Sequence, residues 1–418
     1  MNIAVIISNP NQSGGAFQYE LLNLTILKNY KNQDLNYIYY SKSKKIIKYY
    51  KSYNINIKLI KKNLFHIIFD FFLSISLFNK ILINISNISK RPKLKLINKF
   101  NLTFNFSLEN NLKKDNIDLV YFASPSLLFR EIRNLPFIFT LFDLNFHSHN
   151  QYPELSKNNE FLKRYNFYFE ALNRAFKIIV CSQYLKNQVK QYYNIFTDRI
   201  EILPYLPNKF QLNSDSEIFF KEKYSLDCNY IFYPATFYAH KNHLYILKVL
   251  DFINNFYGKN FYVYFVGSNP GLHSTFDFLK KTCSRLALEK NVKFFNFVED
   301  DSIQYFYKNA VCLLMPSFNG PNNIPPLEAI INKCPVFYSD IPEFQEQFGN
   351  LVEYIDLNSP KSTAKKIINL FDDLLYRKNR VNTQLKFFNN WNDKKFSDKL
   401  SNIFLDYKKT SENWKYYD

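Results

Sequence analysis

Short apolar runs recur along this chain, separated by longer stretches in which apolar positions return every three or four residues. The first pattern predicts buried strands and the second predicts helices that cover them. In the first half, strand-like runs fall at Ile3–Ser8, Leu35–Tyr40, Leu119–Phe122, Phe137–Leu141 and Lys177–Cys181, with amphipathic stretches such as Phe17–Lys28 and Glu160–Ala175 between them. The second half repeats the rhythm. Its strands are Tyr230–Pro234, Tyr262–Val266, Val292–Phe295, Val311–Met315 and Pro335–Tyr338, and its helices include His243–Phe256, Leu272–Leu286, Ser302–Lys308 and Pro326–Ile331. Such alternation predicts an α/β protein with parallel sheets covered on both faces. The 418 residues suit two such domains better than one. Pro204 and Pro207 interrupt regular structure, so the domain change is expected there, with residues 1–205 before it and 206–390 after. A last helical stretch, Trp391–Tyr407, is expected to pack back on the first domain as part of residues 391–418.

Composition narrows the class. Apolar residues make up 47% of the chain, ample for two cores, while glycine occurs only seven times, so each glycine is more informative than usual. The five cysteines (Cys181, Cys228, Cys283, Cys312, Cys334) form no CxxC pair and have no histidine cluster beside them. They read as buried thiols of a reducing compartment, not as a disulfide frame or a zinc site. The N-terminus runs directly into an apolar strand, with neither the basic leader nor the cleavage site of a signal peptide. Leu64–Ile85 is the most membrane-like stretch, but Asp70, Asn79 and Lys80 leave its charge-free run too short to cross a bilayer. A cytoplasmic protein is expected.

Charge adds one local feature. The net charge is +18, and residues 35–108 hold fourteen Lys and Arg against a single acid, Asp70, with Tyr49, Tyr50, Tyr53, Phe65 and Phe69 among them. Two readings stay open: a surface that meets anionic lipid, at roughly 1 kcal/mol per base near the headgroups, or a solvated basic face over an ordinary core. No RNA- or DNA-binding motif accompanies the charge, so nucleic acid is not expected as a partner.

Three loops carry candidate chemistry, each after a strand and before a helix. The first, Asn9–Phe17, holds Gly14 and Gly15 side by side. A glycine pair lets backbone N–H groups approach an anion at a helix start, although a plain turn fits equally well, and the GxGxxG spacing of dinucleotide sites is missing. The second, Tyr233–His243, contains Lys241, which can meet phosphate oxygens while the next helix adds its dipole. The third, Met315–Ala329, ends in Pro325-Pro326, which suits a first helical turn where missing N–H groups cost little. Glu328 follows on the carboxyl side of the strands, where open α/β sheets bind ligands. A carboxylate there can accept two hydrogen bonds from ribose hydroxyls.

These loops, together with Val266-Gly267-Ser268, Asn291–Val298 and Cys334–Glu343, resemble in order and spacing the glycosyltransferase family four group. Its members are retaining enzymes with the GT-B fold, two Rossmann-like domains facing each other across a cleft. The first half is similar more loosely, at Gly14-Gly15, at Phe142-Asp143-Leu144 through Pro153-Glu154, at Val180–Leu185 and at Arg199–Pro204. The resemblance covers most of the chain, least well from about 35 to 115.

The resemblance implies transfer of a sugar, with retention, from a nucleotide-sugar donor to a glycan or lipid-linked acceptor, as in bacterial surface polysaccharide synthesis. It implies no cofactor and no metal, and the chain has no Asp-x-Asp. By the same resemblance Lys241 binds the donor diphosphate and Glu328 the ribose, with Gly14, Gly15, Gly267, Val298 and Leu327 around the donor. Thr236 stands where the family usually has a phosphate-binding arginine, with His240 nearby as a substitute cation or a helix cap. Gly320 stands at the first glutamate of the family's E-x7-E motif. Asn322, Asn323 and Ile324 are expected to take over its sugar contact through backbone N–H groups or side-chain amides. Phe142 and Phe146 occupy two positions where relatives place a histidine, which leaves His147, one residue on, as the candidate beside the acceptor. These departures keep open a non-catalytic nucleotide-sugar-binding protein on the same scaffold. An epimerase would want additional carboxylates and a histidine in the cleft, and the sequence does not supply them.

Overall fold

The computed structural model describes residues 1–9, 14–61, 107–208, 214–224, 226, 229–271, 273–296, 298, 300–320 and 323–413. Within them lie two parallel sheets. The first has seven strands: β1 (Asn2–Ile6), β2 (Asn36–Ser41), β3 (Ile57–Leu59), β4 (Leu119–Phe122), β5 (Phe137–Thr140), β6 (Lys177–Val180) and β7 (Ile200–Ile202), in the order β3-β2-β1-β4-β5-β6-β7. The second has six: β8 (Tyr230–Pro234), β9 (Tyr262–Val266), β10 (Val292–Phe295), β11 (Cys312–Met315), β12 (Val336–Ser339) and β13 (Glu353–Ile355), in the order β10-β9-β8-β11-β12-β13. Each sheet reverses strand order beside its first strand. That reversal opens a crevice at the carboxyl ends, where such sheets bind ligands.

The central strands are the ones the apolar runs predicted, because a strand buried on both faces must be apolar throughout. β4 and β11 are buried along their whole length. The strands missed from sequence, β3, β7 and β13, are edge strands of three residues. The helix Gly15–Asn29 is buried nearly all round, including Phe17, Tyr19, Leu21, Leu22, Leu24, Ile26 and Leu27. It lies under the helix Asp393–Glu412, which returns to the first domain from the end of the second. Phe396 of that helix packs its ring on Tyr19, and Phe404 packs on Tyr37 and Tyr121. Ion pairs Lys408–Asp34 and Lys177–Asp406, both 2.9 Å, flank the apolar seam. Near the crossing, Trp391 Nε1 donates to the carbonyl of Pro204 at 3.0 Å.

Cys181, Cys283, Cys312 and Cys334 are buried thiols that form no disulfide among the described residues. No helix among the described residues is long and apolar enough to cross a membrane, and Leu64–Ile85 lies outside them. Of the basic window, residues 35–61, 107 and 108 are described. There Lys42 pairs with Glu131, and Lys58 pairs with Asp115 at 2.7 Å, so acids beyond the window offset part of its charge. Lys44, Lys45, Lys48 and Lys51 stay exposed on the helix Lys44–Lys51, over the buried Ile46 and Tyr50.

Candidate active site

The second sheet brings the loops after β8, β9 and β10 into backbone contact. A Cβ on Gly267 would lie 2.0 Å from the carbonyl oxygen of Ala235, so only glycine lets these two loops touch. Ala235 N donates to Val266 O and Gly267 N to Phe295 O, each at 2.9 Å, which ties the three loops into one surface. Opposite it stands the start of the helix Gly15–Asn29. Gly14 caps this helix at φ +87°, a conformation that favours glycine. Asn208, on the crossing between the domains, donates to Gln18 O and Oε1 at 2.7 and 2.6 Å.

Between the two surfaces lies a cleft of about 260 Å³. Of the residues predicted from sequence, Gly14, Gly15, Thr236, Gly267, Val298, Ile324 and Glu328 line it. Ser268 of the Val266-Gly267-Ser268 run lines it too, as do Gln18, Asn208, Asn296, Gln304, Tyr307 and Asn332, which the sequence reading did not single out. The wall therefore combines the N–H-rich end of a buried helix with a carboxylate from the other domain.

Glu328 sits in the first turn of the helix Pro325–Ile331, which opens on its two prolines as expected. The Tyr307 hydroxyl donates to Glu328 Oε2 at 2.9 Å. Burial, and then the adjacent carboxylate, lifts the Tyr307 phenol well above its ordinary range, so it remains a donor. Tyr307 comes from the helix Asp300–Asn309, and nothing in the local sequence marks it.

Lys241 is not among the residues lining the cleft. It lies beside it, in the turn Ala239–Lys241 that follows β8. That turn is joined to the loop leading to Glu328: Phe318 N donates to His240 O at 2.9 Å, and the Tyr233 hydroxyl lies 3.0 Å from both Lys241 O and Ser317 Oγ. Burial pulls the Lys241 ammonium down from the usual lysine range to about 8, against the opposing pull of the Asp143 and Glu154 carboxylates across the domain boundary. Its Nζ has no hydrogen-bond partner among the described residues. His240 turns the other way, its Nδ1 sitting 2.5 Å from Glu154 Oε1 of the first domain.

Four expectations meet a different arrangement. Leu327 is fully buried, a core side chain and not a wall of the cleft. Asn323 is 3% exposed, and its amide donates to Gly320 O and to the Tyr338 hydroxyl, so it braces the loop instead of reaching into the cleft. Gly320 has φ +124°, and a Cβ there would lie 2.9 Å from Asn323 Oδ1. The position of the family's first glutamate is thus filled by the asparagine three residues on. His147 stacks on Tyr192 at 4.2 Å, with Phe146, Phe161 and Tyr165 around it, and its Nε2 lies 3.1 Å from the Tyr193 hydroxyl. Its ring is held in an aromatic nest of the first domain and does not line the cleft. Asn322 lies outside the described residues.

Comparison with known proteins agrees with this geometry. Residues 214–387 match the family model of glycosyl transferases group 1, and residues 78–205 match that of Glycosyltransferase Family 4. An O-antigen chain mannosyltransferase of Salmonella typhimurium, RfbU, is 25% identical over 223 residues, 52% of this chain. An uncharacterized glycosyltransferase of Methanocaldococcus jannaschii is 29% identical over 112 residues, 26% of this chain. The chain spans 58% of the length of the first of these curated relatives and 29% of the second. Among solved structures, a glycosyltransferase from Rickettsia africae superposes with TM-score 0.69 at 18% identity, covering 97% of this chain and 98% of that one. Anabaena HepE in complex with UDP-glucose superposes with TM-score 0.67 at 13% identity, covering 97% and 100%. The solved neighbours show that the fold is GT-B, and the two family models each match less than half of the chain, one in each domain.

Proposed function

We propose that this GT-B-type chain transfers a hexose, with retention, from a UDP- or GDP-sugar to a glycan or lipid-linked glycan of a bacterial surface polysaccharide. The observation that carries the reading is the shared cleft: Gly14 and Gly15 from one domain face Glu328 and Thr236 from the other. In this reading Glu328, steadied by Tyr307, holds the ribose. The diphosphate lies between the helix start at Gly15 and the Lys241 ammonium beside the cleft. As the nucleoside diphosphate leaves, charge grows on its outer phosphate, and the cation and helix end stabilise that charge without moving. The leaving oxygen takes the acceptor proton, so no side-chain base is required and no metal is assigned. The names of two comparisons support the donor and acceptor classes: the Anabaena neighbour is a complex with UDP-glucose, and the Salmonella relative is an O-antigen chain mannosyltransferase.

The test is thermal unfolding against a panel of UDP-, GDP- and dTDP-sugars. A ligand at a hundred times its dissociation constant adds about 2.7 kcal/mol to the folded state and raises the melting temperature. A panel that shifts nothing would sink the proposal. Binding without transfer or hydrolysis would favour the non-catalytic reading, to which the filled position at Gly320 lends some weight. Turnover unchanged by a chelator is expected. We also place the protein in the cytoplasm at the inner membrane face, through the exposed lysines of Lys44–Lys51. Flotation with anionic vesicles at low salt and release at high salt tests this; equal recovery with neutral vesicles removes it.

A further inference from the structure

We propose that Glu154 and Glu346 are positioning residues that latch the two domains reciprocally, each capping backbone N–H groups of the other. Glu154 stands in the first domain, and its Oε1 accepts from His240 N at 3.2 Å and lies 2.5 Å from His240 Nδ1. His240 immediately precedes Lys241, so this contact fixes the turn that carries the cation. Glu346 stands in the second domain, on the helix Pro342–Phe348. Its two oxygens accept from Gln183 N and from Tyr184 N, the latter at 2.8 Å, at the start of the first-domain helix Gln183–Tyr193. That helix end is positively polarised, so a carboxylate is favoured there. The Tyr152 ring lies 5.9 Å from Phe318, nearly parallel to it, and closes the same boundary next to Glu154.

Of the other polar contacts described between the domains, one is a long, exposed approach of Asn158 Nδ2 to His273 Nε2 at 3.5 Å, and the rest lie where the chain itself crosses. Asn208 bonds Gln18, and Trp391 bonds the Pro204 carbonyl. Those segments are held by covalent continuity whether the cleft is open or shut. Glu154 and Glu346 are distant from both crossings in sequence, so their contacts are the ones that depend on closure. The two are not equal. The Glu154 side chain is 6% exposed and its His240 partner 14%, whereas Glu346 is exposed on the rim. Water and salt weaken the second contact much more than the first. The latch therefore has a strong buried half beside Lys241 and a weak, salt-sensitive half at the far helix.

The experiment uses the full chain with Glu154→Gln, Glu346→Gln and the double substitution, each first checked for an unchanged melting temperature. Small-angle scattering without nucleotide sugar should show the double variant expanded, and a bound donor should return it to the wild-type profile. Losing a charged hydrogen bond beside Lys241 should raise the donor KM of Glu154→Gln about tenfold while kcat stays within about twofold. Glu346→Gln should raise KM roughly two- to threefold at low salt and not at all at high salt. Gln183→Pro gives an independent variant. It removes one N–H that Glu346 uses, at a first helical position that tolerates proline, and should mimic part of the Glu346→Gln effect. A double variant with wild-type scattering and wild-type KM overturns the latch. The kinetic half rests on the proposed sugar transfer and the scattering half does not: expansion in a protein that turns over no nucleotide sugar keeps the latch and discards the transfer.

Discussion

The two sheets share a strand order around their first strands, yet the loops at their carboxyl ends are built differently. In the second domain those loops touch backbone to backbone. Gly267 admits Ala235, Asn323 fills the space beside Gly320, and Tyr307 fixes Glu328. In the first domain the wall of the cleft is mostly the start of a buried helix, and the loop after β5 turns its rings inward. Phe142 packs on Tyr19 and Tyr205, and His147 packs on Tyr192. The difference teaches how work is divided in such a site. One half presents set side chains on a braced surface, and the other presents backbone donors that need no side chain at all.

The sharpest way to break that division is to remove the cation of the braced half. Lys241→Ala should lower kcat/KM at least a hundredfold, about 3 kcal/mol of barrier. Near-normal turnover would mean that the helix end at Gly15 meets the anion alone. The same lysine sets a pH limit. Burial holds it near 8, so it loses its charge as pH rises through that value, and wild-type kcat/KM should fall with it. A profile flat to the ordinary lysine range would contradict this. Next in size is Gly320→Glu, which puts in the first glutamate of the E-x7-E motif that the sequence resembles. Positive φ and the Asn323 amide oppose it, so it should cost about 2 kcal/mol of stability and bring no gain in turnover. A faster, equally stable variant would show that the loop is less tightly braced than its contacts suggest. Tyr307→Phe removes one hydrogen bond to Glu328 and should raise donor KM several-fold, about 1 kcal/mol. Smallest of all, His147→Phe keeps the aromatic packing and should leave kcat/KM within about twofold. A large loss there would return side-chain chemistry to the first half.

The sequence revealed features whose cause is local. β4, β8, β9 and β11 were legible because strands covered on both faces must be apolar nearly throughout. The place of Glu328 was legible because two prolines mark a helix start. The three-residue edge strands were not, since so short an element needs its neighbour to define it. Tyr307, Glu154 and Glu346 were hidden for a related reason. Their partners lie on other elements, and for the latch on the other domain, so no spacing records them. His147 misled because a histidine near a resembling motif invites a chemical role, while its neighbours Phe146, Phe161, Tyr165 and Tyr192 are separated in sequence and meet only in the fold.

The return of the helix Asp393–Glu412 to the first domain has a consequence for synthesis. Phe396, Leu400 and Phe404 are fully buried, and the rings of Phe396 and Phe404 pack on Tyr19 and Tyr121, residues made far earlier in translation. While the ribosome still holds this helix, the first domain lacks a piece of its own interior, and contacts of such long separation form late. The second domain is thus able to settle before the first, and the nascent chain carries an uncovered apolar seam beside Tyr19 and Tyr121 until the helix Asp393–Glu412 arrives.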